Sequence, residues 1–118
     1  EIPAGKLEPG EDPLACARRE LREETGYEAA EWRLLGAIHN AIGYSDEKIE
    51  LWIARGLEKR EASLDEEEFL EVLTLPLADA LAMVRDGRIT DVKTVAGLLW
   101  LPVFEKGGEG AGRSAAAR

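Results

Sequence analysis

Hydrophobic and polar positions follow two different periods along the chain, and together these periods predict a mixture of helices and strands. Apolar residues recur at helical spacing in two stretches of the second half, and they alternate with polar residues in the middle of the sequence. The predicted elements, in order, are a strand at Ile2, a helix over 13–24, strands over 32–38, 48–57 and 69–74, and helices over 77–85 and 92–100. Strands that alternate with helices favour a sheet covered by helices on its faces.

The helix predicted over 13–24 carries three carboxylates on one narrow face. Glu20, Glu23 and Glu24 stand at positions i, i+3 and i+4, which lie side by side at 3.6 residues per turn. Like charges this close repel one another, so we expect a cation to offset them. Hard carboxylate oxygens select Mg²⁺ or Mn²⁺ over softer metals. Arg19, four residues before Glu23, can pair with that carboxylate, and we interpret Arg19 as an orienting residue.

The same helix belongs to a longer pattern that matches the signature of the Nudix hydrolases at every fixed position. Gly5 is followed after five residues by Glu11, and after seven more by the run Arg19-Glu20-Leu21-Arg22-Glu23-Glu24-Thr25-Gly26-Tyr27. The resemblance implies metal-dependent hydrolysis of a nucleoside diphosphate linked to another group. It also implies an α/β fold, the α/β/α sandwich with a mixed sheet. Family members have strands ahead of the signature, so we expect such N-terminal strands to be missing from this sequence.

Two further stretches, 43–57 and 87–94, resemble the ADP-ribose pyrophosphatase branch of the family, as does the opening run over 1–6. Ile42 departs from that branch, which usually has proline at this place. The resemblance implies ADP-ribose as the substrate, split into AMP and ribose 5-phosphate. The candidate substrate-binding residues in the first of these stretches are Gly43, Ser45 and Glu47. Ordinary turn chemistry is the alternative interpretation of this polar loop.

The resemblance also implies the metal ligands and a location for the general base. The implied ligands of Mg²⁺ or Mn²⁺ are Glu20, Glu24, the backbone carbonyl of Ala4 and, as a further ligand or a supporting group, Glu23. A general base must also lie within reach of the attacking water. The family carries this base on a loop that corresponds to the acidic run over 65–68, where Glu68 and then Glu67 are the candidates. A charge run in a loop is often only solvated, which is the alternative for these residues.

Three other functions remain open at this point. The same chemistry could act on another nucleotide, such as a sugar nucleotide, a dinucleotide or an oxidised nucleoside triphosphate. A Nudix module could also sense a nucleotide without cleaving it, although degenerate members normally lose a glutamate of the signature and all are present here. A purely structural subunit is the third alternative.

The charge balance restricts the partners that we expect. The 118 residues include 24 acidic and 15 basic side chains, which gives a net charge of −9. This charge disfavours nucleic acid and anionic membranes as partners, and it makes a small anionic nucleotide dependent on bound metal. By resemblance we expect a homodimer. Without a membrane-spanning run or a signal peptide pattern, the expected location is the cytoplasm.

The remaining features concern domain organisation and packing. Residues 1–106 are predicted to form one Nudix domain, and the Gly- and Ala-rich run over 107–118 is predicted to be a disordered tail. Trp52 and Trp100 lie in apolar patterns, so we expect them to pack rather than to stack on a base. Cys16 is a single thiol within the predicted acidic helix, and we expect it to be buried and unreactive.

Overall fold

The computed structural model describes residues 1–60 and 71–110, with side chains as far as residue 106. Its elements are α1 (Pro13–Thr25), β1 (Tyr27–His39), β2 (Lys48–Lys59), α2 (Leu77–Arg85) and α3 (Val92–Gly110). Within the described residues the two strands form one antiparallel sheet. The mixed content of helices and strands confirms the predicted α/β class. None of the helices in these ranges combines the length and the apolar character that a membrane crossing requires.

Helix α1 begins after Asp12 and ends before Gly26, and both residue types favour these capping positions. The carboxylate of Asp12 accepts a hydrogen bond from the amide of Ala15 at 2.8 Å. Pro13 occupies the first turn, where its missing amide hydrogen has no cost. The helix stops at Gly26, whose φ of 79° lies in the left-handed region and whose amide donates to the carbonyl of Arg22 at 2.9 Å. The helix predicted over 13–24 is therefore confirmed to within one residue.

Strands β1 and β2 pair over a longer stretch than their apolar residues predict. Beyond the strand ends, the amide of Arg60 donates to the carbonyl of Gly26 at 2.7 Å. Within the sheet, Gly56 lies opposite Ala30 and has a φ of 70°, which glycine adopts without strain. A Cβ atom at Gly56 would lie 2.9 Å from the Cβ atom of Ala30, so this position has little room for a side chain.

The described residues divide into two compact units. The first, which we call the α1 unit, comprises the described residues of Ile2–Trp32 and Ala54–Thr74. The second, the α2–α3 unit, comprises Glu1, Arg33–Ile53 and the described residues of Leu75–Arg118. The hairpin of β1 and β2 contributes residues to both units.

The α2–α3 unit has a small apolar core. Leu35 and Leu51 are buried, one on each strand. The ring of Trp100 in α3 lies against Gly36 so closely that a Cβ atom at Gly36 would overlap it. Trp100 therefore packs on the sheet, in agreement with the prediction from its apolar helix face.

Several predicted bounds differ from the structure. No strand is present at Ile2, and residues 71–74, the described part of the strand predicted over 69–74, are not paired. An apolar alternation becomes a strand only when a neighbouring strand pairs with it, and within the described residues the sheet consists of β1 and β2. Helix α3 extends to Gly110 instead of residue 100. In the added part, the ring centroid of Phe104 lies 5.2 Å from the guanidinium of Arg33. The helix thus includes the first four residues of the predicted tail, while 111–118 lie outside the described residues.

A carboxylate cluster on helix α1

Arg19 lies at the centre of a group of acidic side chains in the α1 unit. Its Nε and Nη2 atoms donate to the two carboxylate oxygens of Glu11 at 2.8 and 3.0 Å. Its Nη1 atom donates to Glu20 at 2.7 Å and to Glu23 at 3.1 Å. Glu8 lies 3.8 Å from Nε. One guanidinium therefore faces four carboxylates, which we call the Arg19 cluster, and the cluster carries an excess of negative charge.

The inner members of the Arg19 cluster are shielded from water. The side chains of Arg19, Glu11 and Glu20 are 23%, 13% and 17% exposed. Hydrogen bonds from Arg19 lower the pKa of Glu11 from its ordinary 4.5 to about 2, and the amide of Glu8 contributes to this shift. The hydrogen bond with Glu11 in turn raises the pKa of Arg19. Glu11 and Arg19 are therefore a charged pair at any pH near neutrality.

A tight turn ahead of α1 fixes the position of Glu11. The amide of Glu11 donates to the carbonyl of Glu8 at 3.0 Å, and the amide of Glu8 donates to the Glu11 carboxylate at 3.0 Å. Pro9 and Gly10, with φ of 77° at the glycine, suit the two central positions of this turn. Glu11 had no predicted role beyond its place in the signature. The Pro-Gly pair just before it was the signal that could have shown it turning back towards the helix.

Two residues of the loop before α1 lie against predicted metal ligands. The amide of Ala4 donates to Glu24 Oε1 at 2.8 Å. The carboxylate of Glu20 lies against Gly5 so closely that a Cβ atom at this position would overlap it. The structure therefore brings Ala4 next to Glu24 and Gly5 next to Glu20. The role of the Ala4 carbonyl stays a prediction.

The three glutamates of α1 are engaged in hydrogen bonds, which bears on how a metal ion would bind them. Within the described residues, no three His, Cys, Asp or Glu side chains are arranged to hold a metal ion. Arg19 donates hydrogen bonds to Glu20 and Glu23, and the Ala4 amide donates one to Glu24. The donors nevertheless fit a divalent cation, because carboxylate oxygens are its preferred ligands and negative charge is in excess. These carboxylates would have to turn towards one point, and their roles as ligands stay predictions.

Cys16 lies between the loop and the helix. Its side chain is buried, and its Sγ atom lies 3.8 Å from the carbonyl oxygen of Gly5 and 3.7 Å from Arg19 Nη2. Burial raises the pKa of the Cys16 thiol, and the negative charge of Glu11 adds to this effect. Cys16 is therefore a neutral, packed thiol, as its position in the acidic helix led us to expect.

The predicted substrate loop belongs to the α2–α3 unit. Glu47 accepts a hydrogen bond from the side-chain amide of Asn40 at 3.1 Å, and its own amide donates to the hydroxyl of Ser45 at 3.0 Å. Gly43, Ser45 and Glu47 are all exposed. These contacts account for the conformation of the loop, so substrate binding by these residues stays a prediction.

The predicted general bases, Glu68 and Glu67, lie outside the described residues. The structure describes the chain as far as Arg60 and again from Glu71. The identity of the base therefore stays a prediction.

The amino-acid sequence is also similar to known proteins. A family model described as NUDIX domain matches residues 1–97. The chain therefore belongs to the Nudix family, as its signature predicts. Nudix hydrolases generally depend on a divalent metal.

Proteins with similar sequences have names that describe several different activities. The methanol dehydrogenase activator of Bacillus methanolicus is 48% identical over 107 residues, which are 89% of this chain and 58% of that protein. The ADP-ribose pyrophosphatase of Bacillus subtilis (strain 168) is 44% identical over 109 residues, again 89% of this chain and 58% of that protein. The GDP-mannose pyrophosphatase of Citrobacter koseri is 42% identical over 104 residues, which are 86% and 54% of the two chains.

A solved structure supports the fold. The crystal structure of an ADP compounds hydrolase superposes with a TM-score of 0.72 at 28% identity, and the match covers 92% of this chain and 57% of the other. The chain thus spans somewhat more than half the length of the proteins that it matches. The predicted Nudix fold and family are confirmed by these findings.

Proposed function

We propose that this protein is a metal-dependent Nudix hydrolase that splits ADP-ribose into AMP and ribose 5-phosphate. The observation that carries the proposal is the carboxylate face of α1, where Glu20 and Glu24 lie against the loop residues Gly5 and Ala4. Relatives named ADP-ribose pyrophosphatase, at 44% identity in Bacillus subtilis and 38% in Mycobacterium tuberculosis, support this choice of substrate.

The chemistry of pyrophosphate cleavage suits such a face. Transfer of a phosphoryl group needs positioning and neutralisation of charge more than covalent catalysis by the protein. Bound Mg²⁺ or Mn²⁺ would neutralise phosphate charge and lower the pKa of an attacking water. Glu20 and Glu24 would hold this ion together with the Ala4 carbonyl, and Glu23 would assist. Arg19 would hold Glu23 in position through the hydrogen bond at 3.1 Å.

The remaining roles follow from the resemblance and complete the proposal. Glu68, or else Glu67, would accept the proton of the attacking water. Gly43, Ser45 and Glu47 would contact the substrate. A homodimer in the cytoplasm, with no nucleic acid or membrane partner, is the setting that we propose.

A second candidate keeps the reaction and changes the substrate. The 42% identity to a GDP-mannose pyrophosphatase favours a sugar nucleotide as this alternative. Turnover measured in parallel on ADP-ribose, GDP-mannose and an oxidised nucleoside triphosphate distinguishes the candidates. We expect ADP-ribose to give the highest kcat/KM, and a clear preference for either of the others would replace the first proposal.

Substitution of one metal ligand tests the reaction itself. Glu24→Gln removes one negative charge from the proposed site, and we expect turnover of ADP-ribose to fall by about 100-fold or more. Glu31→Gln removes the same charge from an exposed position of β1 and should leave turnover unchanged. Circular dichroism shows whether both variants keep the fold. Equal turnover in Glu24→Gln and the wild type would remove Glu24 from the mechanism.

A further inference from the structure

The turn that ends α2 contains the one Asp-Gly pair of the sequence. Asp86 follows the last residue of the helix, and Gly87 has a φ of 83°. An aspartate before a glycine can react with its own main chain, because glycine has no side chain to shield its amide nitrogen. We propose that Asp86 and Gly87 form a site of spontaneous isoaspartate formation, and that the side chain of Arg88 slows this reaction. The proposal is independent of the proposed metal site and its reaction.

The reaction requires only the atoms of these two residues and water. The nitrogen of Gly87 forms a bond to Cγ of Asp86, while the bond from Cγ to the hydroxyl oxygen of the neutral carboxyl group breaks. The hydroxyl group leaves as water together with the amide proton of Gly87, and a five-membered succinimide ring remains. Water then opens this ring. Attack at the main-chain carbonyl gives isoaspartate, in which the peptide bond runs through Cγ, and attack at Cγ restores aspartate.

The reacting groups lie together and are in contact with water. The amide of Arg88 donates a hydrogen bond to Asp86 Oδ1 at 3.2 Å, which turns the carboxylate towards the main chain that follows it. The side chain of Asp86 is 47% exposed. A Cβ atom at Gly87 would meet nothing within 4 Å beyond its neighbours in the chain, so the glycine also borders open space.

The side chain of Arg88 holds the Asp86 carboxylate in its charged form. Its Nε atom lies 3.0 and 2.9 Å from the two carboxylate oxygens, and its Nη2 atom lies 2.8 Å from Oδ2. These hydrogen bonds lower the pKa of Asp86, and the charge of Arg85 acts in the same direction. Only the neutral carboxyl group has a hydroxyl that can leave as water. Arg88 therefore reduces the fraction of Asp86 that can react.

The main chain at the end of α2 supplies a second restraint, in which the Arg88 side chain takes no part. The amide of Gly87 donates to the carbonyl of Val84 at 3.2 Å, and the amide of Arg88 donates to the carbonyl of Met83 at 2.9 Å. These two bonds form the Schellman motif around a left-handed glycine. Replacement of the Arg88 side chain leaves both backbone bonds available, so it tests the restraint on the carboxylate alone.

The product would alter the end of α2. Isoaspartate adds one carbon atom to the main chain between Met83 and Arg88, the two residues that the backbone hydrogen bond at 2.9 Å joins. The Schellman motif closes a ring of fixed size, so the longer chain cannot keep its geometry. Modification of Asp86 therefore weakens the capping of this helix.

The first test locates the reaction. The purified protein is kept folded at neutral pH, and isoaspartate is counted by an isoaspartate methyltransferase. Asp-N protease, which cleaves before aspartate and not before isoaspartate, reports on residue 86. We expect the uncleaved fraction at this residue to grow with time, and methyl acceptance to be lower in Asp86→Glu, because glutamate would have to form a less favourable six-membered ring. The proposal is wrong if that fraction grows in neither the wild type nor Arg88→Gln, or if Asp86→Glu accepts as many methyl groups as the wild type.

The second test removes the restraint on the carboxylate. Arg88→Gln should form isoaspartate severalfold faster than the wild type, and Arg88→Lys, which keeps the charge without the forked donor, should have an intermediate rate. The matched control is Arg85→Gln, which removes the same charge from an exposed residue that lowers the pKa of Asp86 less than Arg88 does. An unchanged rate in Arg88→Gln, or an equal increase in Arg85→Gln, would overturn the proposal.

The pH dependence separates the loss of this ion pair from a general loosening of the helix end. Among the described residues, the charges that lower the pKa of Asp86 are those of Arg88 and Arg85. Once the pH falls through the pKa of Asp86 in both proteins, the carboxyl group is neutral with or without Arg88. We therefore expect the ratio of the rates in Arg88→Gln and the wild type to be greatest at neutral pH and to decrease in acid. A ratio that stays constant would show loosening instead and overturn the protective role of Arg88.

Discussion

A methyl group added at Gly5 should displace the carboxylate of Glu20 while changing the stability of the protein only slightly. The three atoms nearest to a Cβ at this position all belong to the Glu20 carboxylate, and the φ of Gly5 is not positive. The carboxylate ends a flexible side chain, so it can move aside at a cost of about 0.5–1.5 kcal/mol for an unfavourable rotamer. Alanine offsets about 0.4–1 kcal/mol of this cost by restricting the unfolded chain. We therefore expect Gly5→Ala to change the free energy of unfolding by less than about 1 kcal/mol.

The functional effect of Gly5→Ala should be much larger. The displaced carboxylate of Glu20 is a proposed metal ligand, and a misplacement of about 1 Å in an active site can lower the rate roughly 100-fold. We expect a fall of about this size in the turnover of ADP-ribose, together with weaker Mn²⁺ binding. Urea unfolding followed by circular dichroism measures the free energy of unfolding. The electron paramagnetic resonance signal of free Mn²⁺ measures the metal affinity, and the release of AMP measures turnover.

Gly36→Ala is the control for Gly5→Ala, because it adds the same methyl group away from the proposed metal ligands. There the added Cβ atom would lie 3.0 Å from Cζ3 of Trp100 and still closer to other atoms of the ring, which is rigid. Overpacking of this kind costs about 1–3 kcal/mol. We expect lower stability with unchanged Mn²⁺ affinity, the opposite of the result at Gly5. The prediction is wrong if Gly5→Ala lowers the free energy of unfolding by more than about 2 kcal/mol, or if the variant keeps both its Mn²⁺ affinity and its turnover.

Two further predictions concern pH and the start of α3. Because Arg19 lowers the pKa of Glu11 from 4.5 to about 2, the stability that this pair supplies is complete above about pH 4.5 and is lost as the pH falls towards 2. Glu11→Gln should therefore show a smaller change of melting temperature over that interval, and equal slopes in variant and wild type would contradict the pairing. At the start of α3, Asp91 accepts hydrogen bonds from the amide of Thr94 at 3.0 Å and from its hydroxyl at 2.6 Å. Asp91→Ala should lower the free energy of unfolding by about 1 kcal/mol in urea titrations, and no loss would show that this contact does not cap the helix.

Signals that act within a few residues allowed the bounds of α1 and α2 to be predicted well. Helix α1 begins at the pair Asp12 and Pro13 and ends at Gly26, because capping depends only on neighbouring atoms. Helix α2 also has the predicted bounds, because its apolar stripe has helical spacing and Gly87, with a φ of 83°, follows its end. The family signature, likewise a local pattern, was confirmed by the match of residues 1–97.

Contacts between distant parts of the chain could not be predicted in this way. The apolar alternation over 69–74 indicated a strand, but a strand also requires a partner whose position the alternation does not contain. The pairing of Arg19 with Glu23 follows from helical spacing and is present at 3.1 Å. Its two-pronged bond with Glu11 depends on a turn that reverses the chain, and spacing alone does not show this. The metal ligands, the base and the substrate loop remain predictions for the same reason.

The buried position of Cys16 gives experimental access to the loop that precedes α1. It is the single thiol of the sequence, and its Sγ atom lies beneath the carbonyl of Gly5 at 3.8 Å. Because the thiol is buried, a reagent reaches it when its surroundings open, so the labelling rate measures the frequency of local opening around Cys16. The unmodified protein therefore carries its own reporter of how often the residues beside Glu20 leave their place.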